Sequence, residues 1–221
     1  MKIKIFFLLY FLCLSIYSQQ FRNASTLSDL DQYYNNNGVA VADYDQDGDL
    51  DIFLVSYYSD GNNDSRLLEN TNNGNFIDVT AATGINQNLN HEIDLPSGFY
   101  FGDRLSASWG DFNNDGYPDL FLGNSVQSEL YKNNGDGSFT NITESAGFQV
   151  SCEDCYIAGA LWLDYDLDGR LDIFLSDYHS YSHNKLYRNL GNETFELIDL
   201  TSVILNKNSF SAIFMYINDD A

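Results

Sequence analysis

Three short stretches of the chain are continuously apolar: Ile52-Phe53-Leu54, Leu120-Phe121-Leu122 and Ile173-Phe174-Leu175. A strand buried on both faces reads this way, and each stretch is too short for a helix of ordinary length. The pattern predicts strands over 51–56, 119–123 and 172–176. A shorter apolar strand precedes each one, over 39–42, 107–110 and 159–163. Two further blocks follow each. The first is Leu67-Leu-Glu-Asn70, Leu130-Tyr-Lys-Asn133 and Leu186-Tyr-Arg-Asn189. The second runs Phe76 to Thr80, Phe139 to Thr143, and Phe195 to Thr201 with two extra residues. Asn/Gly turns join them as hairpins. No segment sustains a helical period, so the fold class is all-β.

The blocks recur in the same order, and the chain is a repeat. Between the first and second strands of each unit lies an acidic loop. The loops are Asp43-Tyr-Asp45-Gln-Asp47-Gly48-Asp49-Leu-Asp51, Asp111-Phe-Asn113-Asn-Asp115-Gly116-Tyr117-Pro-Asp119 and Asp164-Tyr-Asp166-Leu-Asp168-Gly169-Arg170-Leu-Asp172. Their first Asp recurs after 68 and then 53 residues. A fourth copy begins at Ser211 and overlays residues 106–116, with Tyr216 in place of the first Asp and Ala221 in place of the Gly. Four-stranded units of this length bury their faces against one another as β-propeller blades. The expected blades are 38–85, 106–148, 158–203 and a partial 210–221, about three and a half blades of a partial ring. The Trp109 and Trp162 positions on first strands are expected in the core.

Residues 1–18 read as a secretory signal: Lys2 and Lys4, then a ten-residue apolar run, then small residues. Residues 19–37 form a leader. Its Phe21-Arg-Asn-Ala-Ser25 resembles a fourth-strand block and is either the outer strand closing the ring or an unstructured leader. After signal cleavage no later stretch is a transmembrane helix, so a secreted, periplasmic or cell-surface location is expected. The sequons at Asn23, Asn63, Asn141 and Asn192 act only in a glycosylating host. Cys152 and Cys155 have no second Cys pair for zinc, and Glu153 and Asp154 disfavour a reactive thiolate. In an oxidising compartment they are expected to form a small disulfide.

The formal charge of the 221 residues is −22. Of the 32 acids 25 are Asp, with 25 Asn and 16 Gly beside them. Helical acidic surfaces carry Glu freely, so an Asp excess points to turns and oxygen-ligand sites. The balance excludes a nucleic-acid footprint and an anionic membrane surface. In the loops, side chains at positions 1, 3 and 5 converge, Gly at 6 allows a sharp turn, 7 offers a carbonyl and 9 returns a carboxylate. This shell suits Ca2+. The candidate ligands are Asp43, Asp45, Asp47, the Asp49 carbonyl and Asp51; Asp111, Asn113, Asp115, the Tyr117 carbonyl and Asp119; and Asp164, Asp166, Asp168, the Arg170 carbonyl and Asp172. About three ions are expected, with loop two weaker because Asn113 replaces an acid. An EF-hand is excluded, since Leu54, Leu122 and Leu175 stand where its Glu at position 12 belongs.

These loops, the Leu-Tyr-x-Asn block and Asn133-Asn-Gly-Asp-Gly-Ser-Phe139 resemble the FG-GAP/VCBS repeat family, as in secreted bacterial proteins and cartilage acidic protein relatives. The resemblance spans about residues 38–221. It implies a calcium-stabilised propeller, similar to the integrin α-subunit head and usually seven-bladed, that binds proteins or glycans in adhesion. This chain departs from that pattern in having three and a half repeats and a degenerate fourth loop.

No nucleophile–base pair is evident, and an enzymatic role is not expected. His91 lies in an insertion. Asp177, His179 and His183 could hold zinc, but the neighbouring repeats have no matching residues and a polar loop explains them. Tyr57, Tyr58, Tyr178, His179 and Tyr181 are candidate ligand contacts, because clustered aromatics stack on sugars or anchor proteins; blade packing is the competing explanation. The expected function is a calcium-binding extracellular module for adhesion or for protein or glycan binding. The alternatives are a non-catalytic scaffold part of a larger secreted enzyme, and a truncated fragment without independent function, whose open blade edges another chain could cover.

Overall fold

Each continuously apolar run becomes the second strand of a four-stranded antiparallel sheet, wound in simple sequence order. The computed structural model describes residues 36–56, 65–71, 74–85, 104–124, 128–148, 156–178, 184–198 and 200. Blade one contains β1 (Asn36–Ala42), β2 (Asp51–Ser56), β3 (Arg66–Asn70) and β4 (Phe76–Asp78), followed by a single helical turn, α1 (Thr80–Thr83). Blade two contains β5 (Arg104–Gly110), β6 (Asp119–Asn124), β7 (Glu129–Asn133) and β8 (Phe139–Asn141). Blade three contains β9 (Ile157–Leu163), β10 (Asp172–Asp177), β11 (Lys185–Gly191) and β12 (Thr194–Ile198). The three sheets are blades of a partial β-propeller. The same pair closes each acidic loop: Ala42 opposite Asp51, Gly110 opposite Asp119, and Leu163 opposite Asp172.

The fourth strands of blades one and two are shorter than the sequence pattern suggests, for a side-chain reason. Asp78 accepts hydrogen bonds from the Thr80 amide and hydroxyl, and the Thr80 hydroxyl accepts the Leu67 amide at 2.8 Å. Asn141, Thr143 and Leu130 repeat this arrangement in blade two. The Thr side chain takes over the last ladder position, so the backbone is free to turn away. The short turn that follows packs on the next blade. Ala146 O accepts the Phe195 amide at 2.8 Å, and a Cβ on Gly147 would lie 2.9 Å from Phe195 O.

The apolar runs need both faces because each blade is packed by a neighbour. Phe53 and Val55 of blade one join Leu120 and Leu122 of blade two in one core. Phe121, on the opposite face of β6, joins Ile173 and Leu175 of blade three in the other. The tryptophans complete these interfaces, half-buried at the rims of the two cores rather than at their centres. Trp109 meets Phe53 edge-on, and Trp162 stacks on Phe112. A Cβ on Gly110 would sit 2.6 Å from the Trp162 ring, so this glycine makes room for the next blade.

The outer faces of the array differ from the inner ones. Val41 occupies the tryptophan register in blade one and is 50% exposed. Phe174 is half-buried, whereas its counterparts Phe53 and Phe121 are fully buried. The residues 1–35 and 201–221, including the proposed signal, closing strand and fourth copy, lie outside the described residues, as do Cys152 and Cys155. Among the described residues no helix is long and apolar enough to cross a membrane.

This packing has a testable gradient. Phe121→Ala should cost about 3–5 kcal/mol in chemical denaturation, and Phe174→Ala roughly half of that or less. Equal costs would contradict the half-buried position of Phe174.

Candidate metal centre

The acidic loops lie at one end of the blades, between the first and second strands. Each curls through two left-handed residues. Position 4 is Gln46, Asn114 or Leu167, with φ between 56° and 63°, and position 6 is Gly48, Gly116 or Gly169, with φ between 87° and 96°. Only glycine takes the second of these conformations freely. The curl turns the amide of each glycine onto the first Asp: Gly48 to Asp43, Gly116 to Asp111 and Gly169 to Asp164, at 2.9–3.1 Å.

Two loops gather three carboxylates. Oxygens of Asp43, Asp45 and Asp51 lie within 4.8 Å of one another, and so do oxygens of Asp164, Asp166 and Asp172. These two clusters could hold a metal ion. Each contains a buried carboxylate oxygen with no hydrogen-bond partner, Asp43 Oδ1 and Asp166 Oδ1. A buried acceptor without a donor is costly, and a cation would satisfy it. The residues therefore fit a hard, oxygen-liganded cation.

Loop two gathers no such group of three acids. Asn113 stands at position 3 and donates to Asp115 Oδ2 at 2.7 Å, and both oxygens of Asp111 accept amides. The position-5 acids Asp47 and Asp168 lie outside the two clusters. Asp47, Asp115 and Asp168 each accept the amide of position 7, from Asp49, Tyr117 and Arg170 respectively, closing a local turn. In loops one and three the structure thus groups positions 1, 3 and 9, while one oxygen of each position-5 Asp closes a turn.

The ninth position is the most buried. Asp51 is 1% exposed, and Asp119 and Asp172 are fully buried. One oxygen accepts the amide of position 2, from Tyr44, Phe112 or Tyr165, at 3.0–3.1 Å. The other accepts the amide of the Asn that closes the shared third-strand block, Asn70, Asn133 or Asn189, at 2.8–2.9 Å. Burial pushes the Asp119 carboxyl up to about 7 and Asp51 up to about 6, against the opposing pull of these amides. Asp172 is raised by burial as well. Burial also lifts Asp45, with the charges of Asp47 and Asp43 adding to it. A nearby cation would favour the ionised forms.

Loop three differs by carrying its own positive charge. Arg188 lies 2.7 Å from Asp166 Oδ2, and Arg170 pairs with Asp168. The sequence motif did not single out Arg188, which is the variable residue of the Leu-Tyr-x-Asn block. The role of the block's Asn was also missed, although its recurrence in every third strand was the available signal.

Of the candidate ligand contacts, Tyr178 alone is described. It lies at the end of blade three opposite the acidic loops, is exposed, and packs edge-on against Tyr156. Tyr57, Tyr58, His179 and Tyr181 lie outside the described residues, as do His91 and His183. Asp177, considered with the histidines for zinc, is fully buried and accepts the Tyr156 amide at 3.0 Å.

Blades with acidic loops at one end define a propeller of the repeat-loop class. The sequence model described as "FG-GAP-like repeat" matches residues 111–175 and 164–221, which together make up half of the chain. The chain belongs to the FG-GAP-like repeat family. Cartilage acidic protein 1 of Xenopus tropicalis is 26% identical over 165 residues, covering 72% of this chain and 22% of that protein. The chain thus spans about a fifth of the length of this relative. A solved structure reported as the basis of recognition of non-reducing terminal N-acetylglucosamine by an Agrocybe aegerita lectin is 18% identical. It covers 73% of this chain and 37% of its own, with a TM-score of 0.44, too distant to argue from.

The clip formed by the ninth Asp should matter without any cation. Asp119→Asn keeps the shape but turns one acceptor into a donor facing an amide. It should cost about 2–3 kcal/mol of stability in chelator, by chemical denaturation. An unchanged midpoint would contradict the clip.

Proposed function

We propose that the chain is a calcium-binding, non-enzymatic extracellular module that presents a surface for protein or glycan ligands. The observation that supports it is the pair of three-carboxylate groups, each with a buried oxygen that no protein donor satisfies. Asp43, Asp45 and Asp51, joined by Asp47, would hold one ion, and Asp164, Asp166 and Asp172, joined by Asp168, another. Asp111, Asn113, Asp115 and Asp119 would hold a third more weakly, because one ligand is neutral. Bound calcium supplies positive charge and hard Lewis acidity to the carboxylates. The protein side contributes the curl of the loop, the glycine amide that orients the first Asp, and the clip that fixes the ninth. Arg188 and Arg170 already neutralise part of loop three, so loop one is the tighter of the two three-carboxylate sites.

FG-GAP-like repeats are typical of extracellular proteins, which agrees with the signal-like residues 1–18. The family's association with adhesion supports a binding role. The exposed Val41 face and the half-buried Phe174 face offer packing surfaces for further blades or another chain. The short span relative to cartilage acidic protein 1 favours a second reading, a scaffold part of a larger secreted protein, whose other domains would then supply any catalysis.

Thermal unfolding separates these ideas from a plain acidic β-protein. Millimolar calcium should raise the Tm by several degrees and chelator should reverse it, since the ion binds only the folded chain. Asp43→Ala should lose one bound ion, and Arg188→Gln should tighten loop three by about threefold to tenfold. A Tm indifferent to calcium overturns the proposal. Binding to an immobilised glycan and matrix-protein panel should then require calcium.

A further inference from the structure

The three loops are joined by a buried line of hydrogen bonds that crosses both blade interfaces. In blade two, the Asn133 amide holds Asp119 Oδ1, and Asp119 Oδ2 holds the Phe112 amide. The Asn133 side chain then reaches back into blade one, donating Nδ2 to Tyr44 O at 2.8 Å. Tyr44 is the second residue of loop one, and its amide is held by Asp51. Blade three repeats each step. The Asn189 amide holds Asp172, and the Asn189 Nδ2 donates to Phe112 O of loop two at 2.8 Å. Asn133 and Asn189 are each 1% exposed, so water does not compete for these bonds.

The remaining side-chain bonds fix each Asn in place. Its Nδ2 also donates within its own blade, Asn133 to Pro118 O and Asn189 to Leu171 O, and its Oδ1 accepts the amide of Gly135 or Gly191. A second, exposed set of links runs beside the first: Gln46 Nε2 to Gly116 O, and Asn114 Nδ2 to Gly169 O. Among the described residues Asn70 makes no cross-blade bond. Its Nδ2 donates to Leu50 O at 3.3 Å within its own blade.

We propose that Asn133 and Asn189 are positioning residues that make the three acidic loops respond to a cation as one unit. Each Asn grips the ninth Asp of its own loop through its main chain and the second residue of the preceding loop through its side chain. Ordering one loop therefore orders the main chain on which its neighbour closes. By linkage, the effect runs equally in both directions. The inference rests on the calcium reading and adds to it the coupling between sites.

The test is a calcium titration of the 15N-labelled full chain followed by NMR. The amides of Gly48, Gly116 and Gly169 each report their own loop. In the native chain the coupling should draw the three curves, whose intrinsic affinities differ, into one concerted transition with loop two at its upper end. In Asn133→Ala, Gly48 should separate from the other two, with midpoints about fivefold apart. In Asn189→Ala, Gly169 should separate instead. Asn70→Ala is the matched control, since it removes only a bond within its blade and should leave the concerted transition intact. Independent curves in the native chain overturn the inference while sparing the calcium reading, as does separation of all three loops by Asn70→Ala. A chain in which no glycine responds to calcium overturns both.

Discussion

The ninth aspartate of each loop is the interaction on which the rest of the structure depends. Its two oxygens hold two amides that are far apart in sequence, one in its own loop and one in the third strand. That grip sets the exit of the loop and the register of the third strand together. It also places a carboxylate in a fully buried position, where burial pushes its pKa up toward neutrality. A buried charge needs such donors or a cation; this architecture provides the donors, and in loops one and three it gathers carboxylates that could hold a metal ion.

Around that clip the blades pack by a simple rule. Apolar side chains alternate between the two faces of the second strand, and in blade two each face fills a different interface. Glycine at position 110 lets the next tryptophan approach, and threonine at the fourth-strand end turns the chain toward its neighbour. The polar line through Asn133 and Asn189 follows the same interfaces. Hydrophobic packing and loop geometry are therefore coupled, since a shift between blades moves the carbonyl that each Asn grips.

Much of this was legible in the sequence because the repeat shows each element three times. The strands followed from the continuously apolar runs, although among the described residues only Leu120-Phe121-Leu122 is buried on both faces. Loop curvature followed from glycine at position 6. Other features were hidden because one residue type serves several purposes. Asp47, Asp115 and Asp168 read as ligands, and the sequence did not show that each also closes a turn on the amide two residues ahead. Asn133 and Asn189 looked like hairpin residues, since a side chain reaching into the previous blade leaves no local trace. Arg188 was hidden for a similar reason: its block is marked by its neighbours, while its partner Asp166 lies across the sheet. The half-buried tryptophans show the limit of composition, because a large ring at a blade rim reads the same as one at a core centre.

Counting bound calcium per chain tests the central claim most directly, that the acidity of the loops is part of the internal construction of the fold. Native mass spectrometry of the chain exchanged into millimolar calcium should find at least two ions retained, and three when the weaker loop two is filled. A folded chain that retains none would contradict the account and return the loops to the status of acidic turns.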